Sequence, residues 1–288
     1  MRHFNPRYFP AFCAVAAFGL ALGLGACGDS DTGTVRMQLT DAPFPFDMLD
    51  SAAVAISGVE VHVISDPGDD GGFQTISTEE DTVNLLDLQN GVTRILGEAE
   101  VPVGYINQVR LLVDDAWVVL DDGREFHLEI PSGDRSGIKI HVAPFIEVRG
   151  GDITDLLLDF DVSRSFHPIP ASATQSADIR EFHFRPSLRA VNLSTTGSIS
   201  GRVLDDMDTP SDPDDDVPIE DASVTVFKDG DEIASTATDS DGNFVLLGLP
   251  AGGVTLAAIA SGFVQGELDV TVVAGSDVGG NILRLHRN

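Results

Sequence analysis

The sequence contains very little cysteine. Only Cys13 and Cys27 occur among its 288 residues. Two thiols cannot build the network of disulfides that holds many small secreted proteins together, nor a zinc site made mainly of cysteine. The stability of the folded chain must therefore come from packing.

Basic residues are also scarce. Lys and Arg total 17 against 46 Asp and Glu, which gives a formal net charge of −29. Nucleic acid is excluded as a partner, because neutralising phosphates requires a basic face and none is visible. The same excess argues against adsorption to anionic lipid through surface charge. It fits solubility outside the cytoplasm or in a saline environment, or the capture of cations.

No apolar segment is long enough for a typical transmembrane helix. The run from Ala11 to Ala26 is about 16 residues long, short of the roughly 20 that such a helix needs. Arg2 and Arg7 precede this run, and the first acidic residue, Asp29, follows it. This order is typical of a signal peptide, with a stop-transfer anchor as the alternative.

The apolar run ends in the sequence LGAC at 24–27. A branched apolar residue, two small residues and a cysteine resemble the lipobox of bacterial lipoproteins. The resemblance implies lipidation of the Cys27 sulfur, cleavage before Cys27 and acylation of the new amino terminus, an anchor much firmer than one acyl chain. Cys13 would leave with the signal peptide. Because Gly28 and not Asp follows Cys27, the resemblance favours the outer membrane, on a face that the sequence does not specify.

From Thr34 onward, short runs of alternating apolar residues dominate the sequence. VRMQL, AAVAISGVEVHVI and NQVRLLV are separated by turn signals such as DPGDDGG, and Gly58 marks a bulge or bend in the second run. The exception is TVNLLDLQNGVTRILGEAEVP, where the apolar residues Leu86, Val92, Ile95 and Leu96 predict a short helical turn. Many short strands with regular turns and no long amphipathic helix predict a β-sandwich.

A small polar linker, NLSTTG at 192–197, precedes a second set of strands. That set comprises SISGRVL, ASVTVF, EIASTAT, NFVLLGL, GVTLAAI, ELDVTVV and NILRL. KDGD at 228–231 and DSDGN at 239–243 are tight-turn sequences between them. The predicted fold class is therefore all-β, with two β-sandwich domains in tandem and seven strands in the second.

The first region resembles a known family. LTDAP at 39–43, LLDLQNGVTRILGEAEVPVGYINQVRLLV at 85–113, IPSGDRSGIKI at 130–140 and LLLDFDVSRS at 156–165 resemble the domain-of-unknown-function family 4382 of bacterial and archaeal lipoproteins. Because that family has no established activity, the resemblance implies no reaction.

The second region resembles a carboxypeptidase regulatory-like domain, a transthyretin-type sandwich. The resemblance lies in GSISGRV, DASVTVF, TATDSDGNFVLLGLPAGGVTLAAIASGF and the closing NILRL. It implies an accessory domain that stabilises, spaces or binds and does not catalyse. The predicted organisation is a lipoprotein signal peptide at 1–26, a lipidated tether at 27–33, the first sandwich at 34–193 and the second at 194–288.

One loop of the second region departs from that family. Positions 205–221, DDMDTPSDPDDDVPIED, form a dense acidic segment where a short loop is usual. Oxygen ligands at this density suit Ca²⁺, although the spacing is not that of an EF-hand loop. The alternative is a solvated acidic loop, kept extended by like-charge repulsion, so the protein requires no cofactor and Ca²⁺ is optional. The candidate calcium ligands are Asp205, Asp206, Asp208, Asp212, Asp214, Asp215 and Asp216.

Two other patterns invite a catalytic or metal-binding interpretation. Ser136 and Lys139 have the SxxK spacing of some serine acyl-transfer enzymes, but that chemistry needs a helix and this segment is predicted to be a strand. His127, His141 and His183 would form a metal site only if their strands converged. Exposed polar positions on strands are the alternative for these histidines.

Two acidic patterns have structural alternatives. Asp159 and Asp161 lie two apart on one strand face, the spacing of paired carboxylates in acid–base enzymes. They could instead hold a loop or an arginine such as Arg164. DSDGN at 239–243 resembles the start of a calcium loop but lacks the later Glu, so a hairpin turn is predicted there.

Carbohydrate binding depends on exposed aromatic rings, and these are few. Beyond residue 26 the chain has one Trp, Trp117, and one Tyr, Tyr105, both in strands predicted to belong to the core. Phe263 lies where the second family often has an aromatic residue. A glycan site is therefore an analogy with related folds.

Together these features predict a non-catalytic lipoprotein of the cell envelope that acts as a binding or scaffold module. Its predicted partners are the membrane, through the lipid anchor, and an envelope protein or polysaccharide. The first alternative is a carbohydrate-binding accessory lipoprotein, with or without calcium. A hydrolase is the second alternative.

Replacing Cys27 by alanine should abolish metabolic labelling with palmitate, because the sulfur that carries the lipid is lost. Cys13→Ala, in the segment expected to be cleaved, is the matched control and should keep the label. Persistent labelling of the Cys27→Ala chain would contradict the predicted anchor.

Overall fold

The computed structural model describes residues 30–42, 48–130, 136–173, 175–207, 209 and 215–288. Most of the regular structure in these ranges is β-strand. The one α-helical turn there, α1, spans Val162–Ser165, and 3₁₀ turns occur at Leu85–Leu88 and Ser176–Asp178. Within the same ranges no helix has the length and apolar character needed to cross a membrane.

The first sandwich contains twelve of the described strands. They are β1 (Thr32–Ala42), β2 (Leu49–Ile64), β3 (Gly72–Ser77), β4 (Asp81–Asn84), β5 (Arg94–Pro102), β6 (Gly104–Leu120), β7 (Glu125–His127), β8 (Ile138–Val148), β9 (Ile153–Asp161), β10 (Phe166–Ile169), β11 (Glu181–Phe184) and β12 (Leu188–Asn192).

Two sheets form this sandwich. One has the order β12-β9-β1-β5, in which β1 and β9 run parallel and the other neighbours run antiparallel. The other is built on the long antiparallel pair β2 and β6, with β3 and β4 beside β2 and with β7 and β8 beside β6. β10 and β11 pair as a separate two-stranded sheet.

Side-chain alternation produces the first core. Val35, Met37 and Leu39 of β1 are fully buried, and the residues between them are only partly buried. Val109 and Leu111 of β6 are fully buried in the same core. Each such side chain contributes about 1.5–3 kcal/mol of hydrophobic stabilisation, so the alternation written in the sequence fixes which face of each sheet turns inward.

The predicted helical turn is only partly correct. A 3₁₀ turn forms over Leu85–Leu88, but Ile95 and Leu96 belong to β5. Ile95 is 59% exposed and Leu96 only 9%, which is the alternation of a strand. The predicted irregularity at Gly58 is confirmed, since the β2–β6 register shifts between Ile56 and Gly58.

Two further details differ from the sequence-based expectation. Trp117 and Tyr105 are partly buried residues of β6 and do not belong to the first core. Thr32 and Gly33, which were expected in the tether, lie in β1 and pair with Pro102 and Val101 of β5. The first described strand therefore includes two residues that the sequence assigned to the tether.

The second sandwich contains eight described strands. They are β13 (Thr196–Asp205), β14 (Val217–Pro218), β15 (Ser223–Lys228), β16 (Asp231–Ala237), β17 (Asn243–Pro250), β18 (Gly252–Ile259), β19 (Gly266–Val272) and β20 (Asp277–Leu285). Every one of the seven predicted strands is present, and the two-residue β14 is additional.

The sheets of the second sandwich enclose their own core. In one sheet β13 pairs antiparallel with β17 and β14 and parallel with β20. The other sheet has the order β16-β15-β18-β19, and all its neighbours are antiparallel. Val224, Phe244 and Leu256 are fully buried between them. The predicted all-β fold with two sandwiches in tandem is confirmed.

The two predicted turns of this sandwich differ in their role. Asp229 and Gly230 have φ angles of 54° and 92° and join β15 to β16 in a two-residue hairpin, as expected for an Asp-Gly pair. Asp239 also begins a tight turn, but this turn joins β16 to β17 in the opposite sheet and is not a hairpin. Although burial raises the pKa of Asp239, hydrogen bonds from the side chain and N–H of Asn243 and from the N–H of Asp241 outweigh that effect and lower it.

A short turn joins the two sandwiches. β12 ends at Asn192 and β13 begins at Thr196. The carboxamide oxygen of Asn192 accepts hydrogen bonds from the N–H and hydroxyl of Ser194, and its carbonyl oxygen accepts the N–H of Thr195. These bonds hold the connection in one conformation.

A buried carboxylate lies at one end of the first core. Asp41 is 5% exposed, its Oδ1 accepts the N–H of Val162 at 3.3 Å, and no described residue donates a hydrogen bond to its Oδ2. Burial, assisted by the nearby Asp159 carboxylate, raises the pKa of Asp41 well above its ordinary value of 3.8. As the pH rises from 3.8 to the folded pKa, the unfolded chain releases this proton first, so stability is lost over that interval.

Asp41→Asn should therefore stabilise the protein at pH 8 by about 1–3 kcal/mol, because the amide keeps the acceptor for Val162 and removes a buried charge. The gain should disappear below about pH 4, where the carboxyl is protonated in both states. Thermal melts at pH 4 and pH 8 measure the difference. The exposed Asp114→Asn is the control, and an equal gain at both pH values would contradict the assignment.

Candidate binding cleft between the two sandwiches

The backbone of β17 forms one edge of its sheet, because β17 pairs with β13 on one side and with no described strand on the other. An edge strand leaves alternate N–H and C=O groups without ladder partners. Side chains of the first sandwich reach this edge, which is how the two sandwiches meet.

Asn90 supplies the first of these contacts. It follows the 3₁₀ turn, with a left-handed φ of 57° that asparagine adopts more readily than most residues. Its side-chain Oδ1 accepts the N–H of Val245 at 2.6 Å, and its Nδ2 donates to the carbonyl of Asn243 at 3.3 Å. The carboxamide thus pairs with β17 as the backbone of a neighbouring strand would. The N–H of Asn90 also donates to the hydroxyl of Thr236 at 3.2 Å.

Arg189 on β12 supplies the second contact. Its guanidinium lies 2.7 Å from Oδ2 of Asp159 and donates to the carbonyl oxygens of Gly248 at 3.1 Å and Leu247 at 3.4 Å. Asp159 is 8% exposed, so the ion pair lies within the interface. Burial raises the pKa of Asp159, and Arg189 only partly offsets this effect.

Gly248 leaves room for side chains of the first sandwich. Its φ is 66°, and a Cβ there would lie 2.7 Å from Cγ2 of Val191. Leu157, fully buried on β9, lies beside the same glycine and does not belong to either sandwich core. Apolar packing therefore surrounds the polar contacts of the interface.

A cleft of about 930 Å³ opens next to this interface. The first sandwich contributes part of β8, both ends of β9 and all of β12, and the second contributes the first residue of β13, part of β16 and the end of β17. Phe145 and Ile153 on the first side are 45% and 53% exposed. This volume and this mixed lining are typical of ligand-binding clefts.

Five carboxylates and three guanidinium groups line the cleft. Arg164 bridges the two sandwiches, with Oδ2 of Asp161 at 3.3 Å and Oε1 of Glu232 at 3.2 Å. Asp161 also caps α1 by accepting the N–H of Arg164. The three guanidinium groups pair with four of the five carboxylates, so the cleft has a small excess of negative charge.

Asp159 and Asp161 therefore have the structural role that the sequence offered as an alternative. Asp161 holds Arg164, as suggested, and Asp159 holds Arg189, which the sequence analysis did not single out. Both carboxylates are occupied by arginines. A catalytic pair would need one carboxyl free to exchange a proton with substrate.

The acidic loop is held by the carboxyl-terminal segment. Asp205 pairs with Arg287, Asp206 with His286, and Asp216 with Arg284 at 2.6 Å. Asp215 accepts the hydroxyl of Thr209. Asp208, Asp212 and Asp214 lie outside the described residues, as does Cys27. Calcium binding by this loop stays a prediction of the sequence.

The histidines do not converge on one site. His127 lies beside Asp115 and Glu125, His183 is 3.9 Å from Glu181, and His141 is exposed on β8. Within the described ranges no group of three or more His, Cys, Asp or Glu side chains could hold a metal ion.

Lys139 lies in β8, as expected, and Ser136 lies in the turn before it. The helix that an SxxK catalytic pair requires is therefore not formed at these residues.

The aromatic rings that could contact a sugar outside the cleft lie far apart. Phe73 pairs with His62 near one end of β2, and the guanidinium of Arg110 lies 3.6 Å from its ring centre. Trp117 pairs with Ala53 near the other end of β2, about 30 Å away along the strand. Phe263 packs partly against the second core. These rings do not form a continuous stacking platform.

Two family models match the chain. The model described as Domain of unknown function (DUF4382) matches residues 32–186, which is more than half of the sequence. The chain belongs to this family. The model described as Carboxypeptidase regulatory-like domain matches residues 198–283, so the two predicted resemblances occur in the predicted order. No curated protein matches the sequence.

Among solved structures, similarity is weak. The Bacillus anthracis TIE protein is 14% identical with a TM-score of 0.26; the match covers 89% of this chain and 34% of that one, so this chain spans about a third of its length. The minor pilin GBS52 of Streptococcus agalactiae is 12% identical over 88% of this chain and 96% of that one, with a TM-score of 0.26. Shaft pilin SpaA of Lactobacillus rhamnosus GG is 11% identical over 89% and 98%, with a TM-score of 0.28. Similarity at this level carries no information about function.

Arg189→Ala should destabilise the protein by about 2–4 kcal/mol at pH 8, because it leaves Asp159 buried without its partner and two carbonyls of β17 without donors. The loss should shrink toward pH 4. Without Arg189 the pKa of Asp159 rises further, and protonation then removes the unpaired charge. Thermal melts at both pH values test this.

Arg149→Ala is the matched control for that experiment. Arg149 lines the same cleft but pairs with Glu147 on the surface, with 69% of its side chain exposed. Its loss should leave the melting temperature almost unchanged, because solvent screens an ion pair on the surface. An equal effect of the two substitutions would contradict the role given to Arg189.

Proposed function

We propose that the protein is a non-catalytic lipoprotein of the cell envelope, anchored through Cys27, whose cleft between the two sandwiches binds an envelope component. The observation that carries the proposal is the cleft itself, a cavity of about 930 Å³ that neither sandwich forms alone. Outer-membrane anchoring is supported by the lipobox at 24–27 and by Gly28.

The non-catalytic character is supported by the state of the charged groups in the cleft. Asp159 and Asp161 are engaged by Arg189 and Arg164. These arginines also contact the second sandwich, which gives the charges a role in holding the interface together. A hydrolase would need a carboxyl group released from such contacts.

The carbohydrate alternative has less support. Stacking on a sugar needs a flat ring with an open face, and Phe73 is covered on one side by Arg110. Trp117 is partly buried beside His127, with the ring centres 6.2 Å apart. Phe145 is the exposed ring that opens into the cleft. A single aromatic residue at that position can contact apolar groups of many ligand types.

Photo-crosslinking in intact cells tests the proposal. With p-benzoylphenylalanine at position 145, the full-length lipidated protein should form a crosslinked product in the envelope fraction. With the same residue at position 73, which is also an exposed phenylalanine but lies away from the cleft, the product should be absent.

A blocking variant makes the result specific. Ala251 is an exposed residue of the cleft wall, and Ala251→Trp should reduce the product from position 145 at least fivefold. Ala274→Trp, at an exposed position outside the cleft, should leave it unchanged. Equal products from positions 73 and 145 would refute the cleft as the binding site.

A further inference from the structure

The two edges of one sheet in the second sandwich are protected very differently. β19, at one edge, carries the exposed residues Glu267 and Asp269 at alternate positions. Charges on an edge strand oppose pairing with another chain. β16, at the other edge, has neither charge nor proline from Ile233 to Ala237. After its two acidic residues, Asp231 and Glu232, β16 is therefore the less protected edge, although the first sandwich reaches it at Thr236, whose hydroxyl accepts the N–H of Asn90.

The backbone of β16 directs its free groups toward the cleft. The N–H of Thr238 donates to the carbonyl of Ala222, which makes that pair a hydrogen-bonded pair of the β15–β16 ladder. Such pairs alternate along an antiparallel ladder, so the N–H and C=O of Ser235 point away from β15. Ser235 lines the cleft, and among the described residues no other strand pairs with it.

The opposite wall of the cleft suits the side chains of an added strand. Phe145 and Ile153, from β8 and β9, are 45% and 53% exposed there. Glu232, the second residue of β16, lies at the same cleft and pairs with Arg164, with about a third of its side chain exposed. The side chains of an extended segment alternate between its two faces. A segment lying along β16 would place apolar side chains against Phe145 and Ile153 and polar side chains near the cleft carboxylates.

The charge of the cleft selects among extended segments. Its five carboxylates outnumber its three guanidinium groups; four of the carboxylates pair with these arginines, and Asp152 lies outside those pairs, so the cleft keeps a net negative charge. The whole chain carries a formal charge of −29, so a second copy of it would be repelled. A basic segment of another protein is favoured on both counts.

We propose that the cleft binds an extended polypeptide segment with basic side chains, which joins the edge of β16 as an added strand. The inference rests on the proposed binding function and names the class of its partner. Main-chain hydrogen bonds to Ser235 supply part of the affinity, and the cleft carboxylates select for Lys or Arg.

Three fluorescent peptides test this against the full-length protein in phosphatidylcholine nanodiscs, with empty nanodiscs as the blank. The first is an octapeptide that alternates Lys and Val. In the second, Glu replaces Lys. The third is the Lys peptide N-methylated at its four central residues, which keeps the charge but removes donors from both strand edges. By anisotropy, the first peptide should bind at least tenfold more tightly than the other two.

Variants locate the binding site. Glu232→Gln should weaken the Lys peptide about two- to fivefold, as expected for a charge at the rim of an interface. Glu267→Gln, the same change on the protected edge strand β19, is the matched control and should have no effect. Ser235→Pro removes an N–H that makes no ladder bond, so the sheet should survive while binding falls at least tenfold. If that variant does not fold, the N-methylated peptide still tests the pairing.

The outcomes separate this inference from the proposed function. Equal binding of the N-methylated peptide would refute strand addition, and equal binding of the Glu peptide would refute selection by charge. If the Lys peptide does not bind while the crosslink from position 145 persists, the polypeptide inference fails and the binding function stands. If glycosidase returned the crosslinked product to nearly the mass of the protein alone, the cleft would be assigned to a polysaccharide. Loss of both signals would refute both proposals.

Discussion

The structure depends on how the exposed edge of β17 obtains its hydrogen bonds. A buried backbone group without a partner costs as much as a lost hydrogen bond, so an edge that is covered must be paired. Asn90 and Arg189 of the first sandwich provide those partners at Val245, Leu247 and Gly248. The orientation of the two sandwiches is fixed by this pairing, and the cleft exists because the sandwiches meet in that orientation.

The polar contacts of the interface cost desolvation energy. Their main role is to specify how the two sandwiches are placed, and they add less to stability. A buried ion pair such as Arg189 with Asp159 loses hydration on both sides, and apolar packing would often be at least as stable. With apolar packing alone, however, the two sheets could slide past each other. A guanidinium that donates to two carbonyl groups fixes the position of both. Asp41 pairs with no arginine among the described residues, and hydrogen bonds from Val162 and Gln89 only partly offset its burial. The interface charges therefore have a positional role, and Asp41 remains a destabilising residue at neutral pH.

The sequence predicts the strands well because alternation is a local signal. All seven strands proposed for the second region form, and the Asp-Gly pair at 229 and 230 makes the expected hairpin. Including Ile95 in the predicted helical turn was wrong, because local spacing is also ambiguous. Apolar residues spaced over one helical turn cannot be distinguished from the ends of two elements, and tertiary pairing with β1 decided for a strand. Asn90 shows the limit more clearly. An Asn-Gly pair indicates a turn, but its hydrogen-bond partner Asn243 lies 153 positions away, and nothing local identifies it.

The acidic loop illustrates why composition alone is an ambiguous guide to function. Carboxylates that lie close together repel one another, and a bound cation is one way to relieve this repulsion. The carboxyl-terminal strand provides another, because Arg284 and Arg287 reach Asp216 and Asp205, both nearly buried. Those carboxylates hold the end of β20 against the loop after β13, so part of the negative charge serves the fold. Composition does indicate reliably the long-range electrostatic effect of the net charge. A net charge of −29 persists after a few internal ion pairs, and it biases every surface of the protein, including the cleft, toward cationic partners.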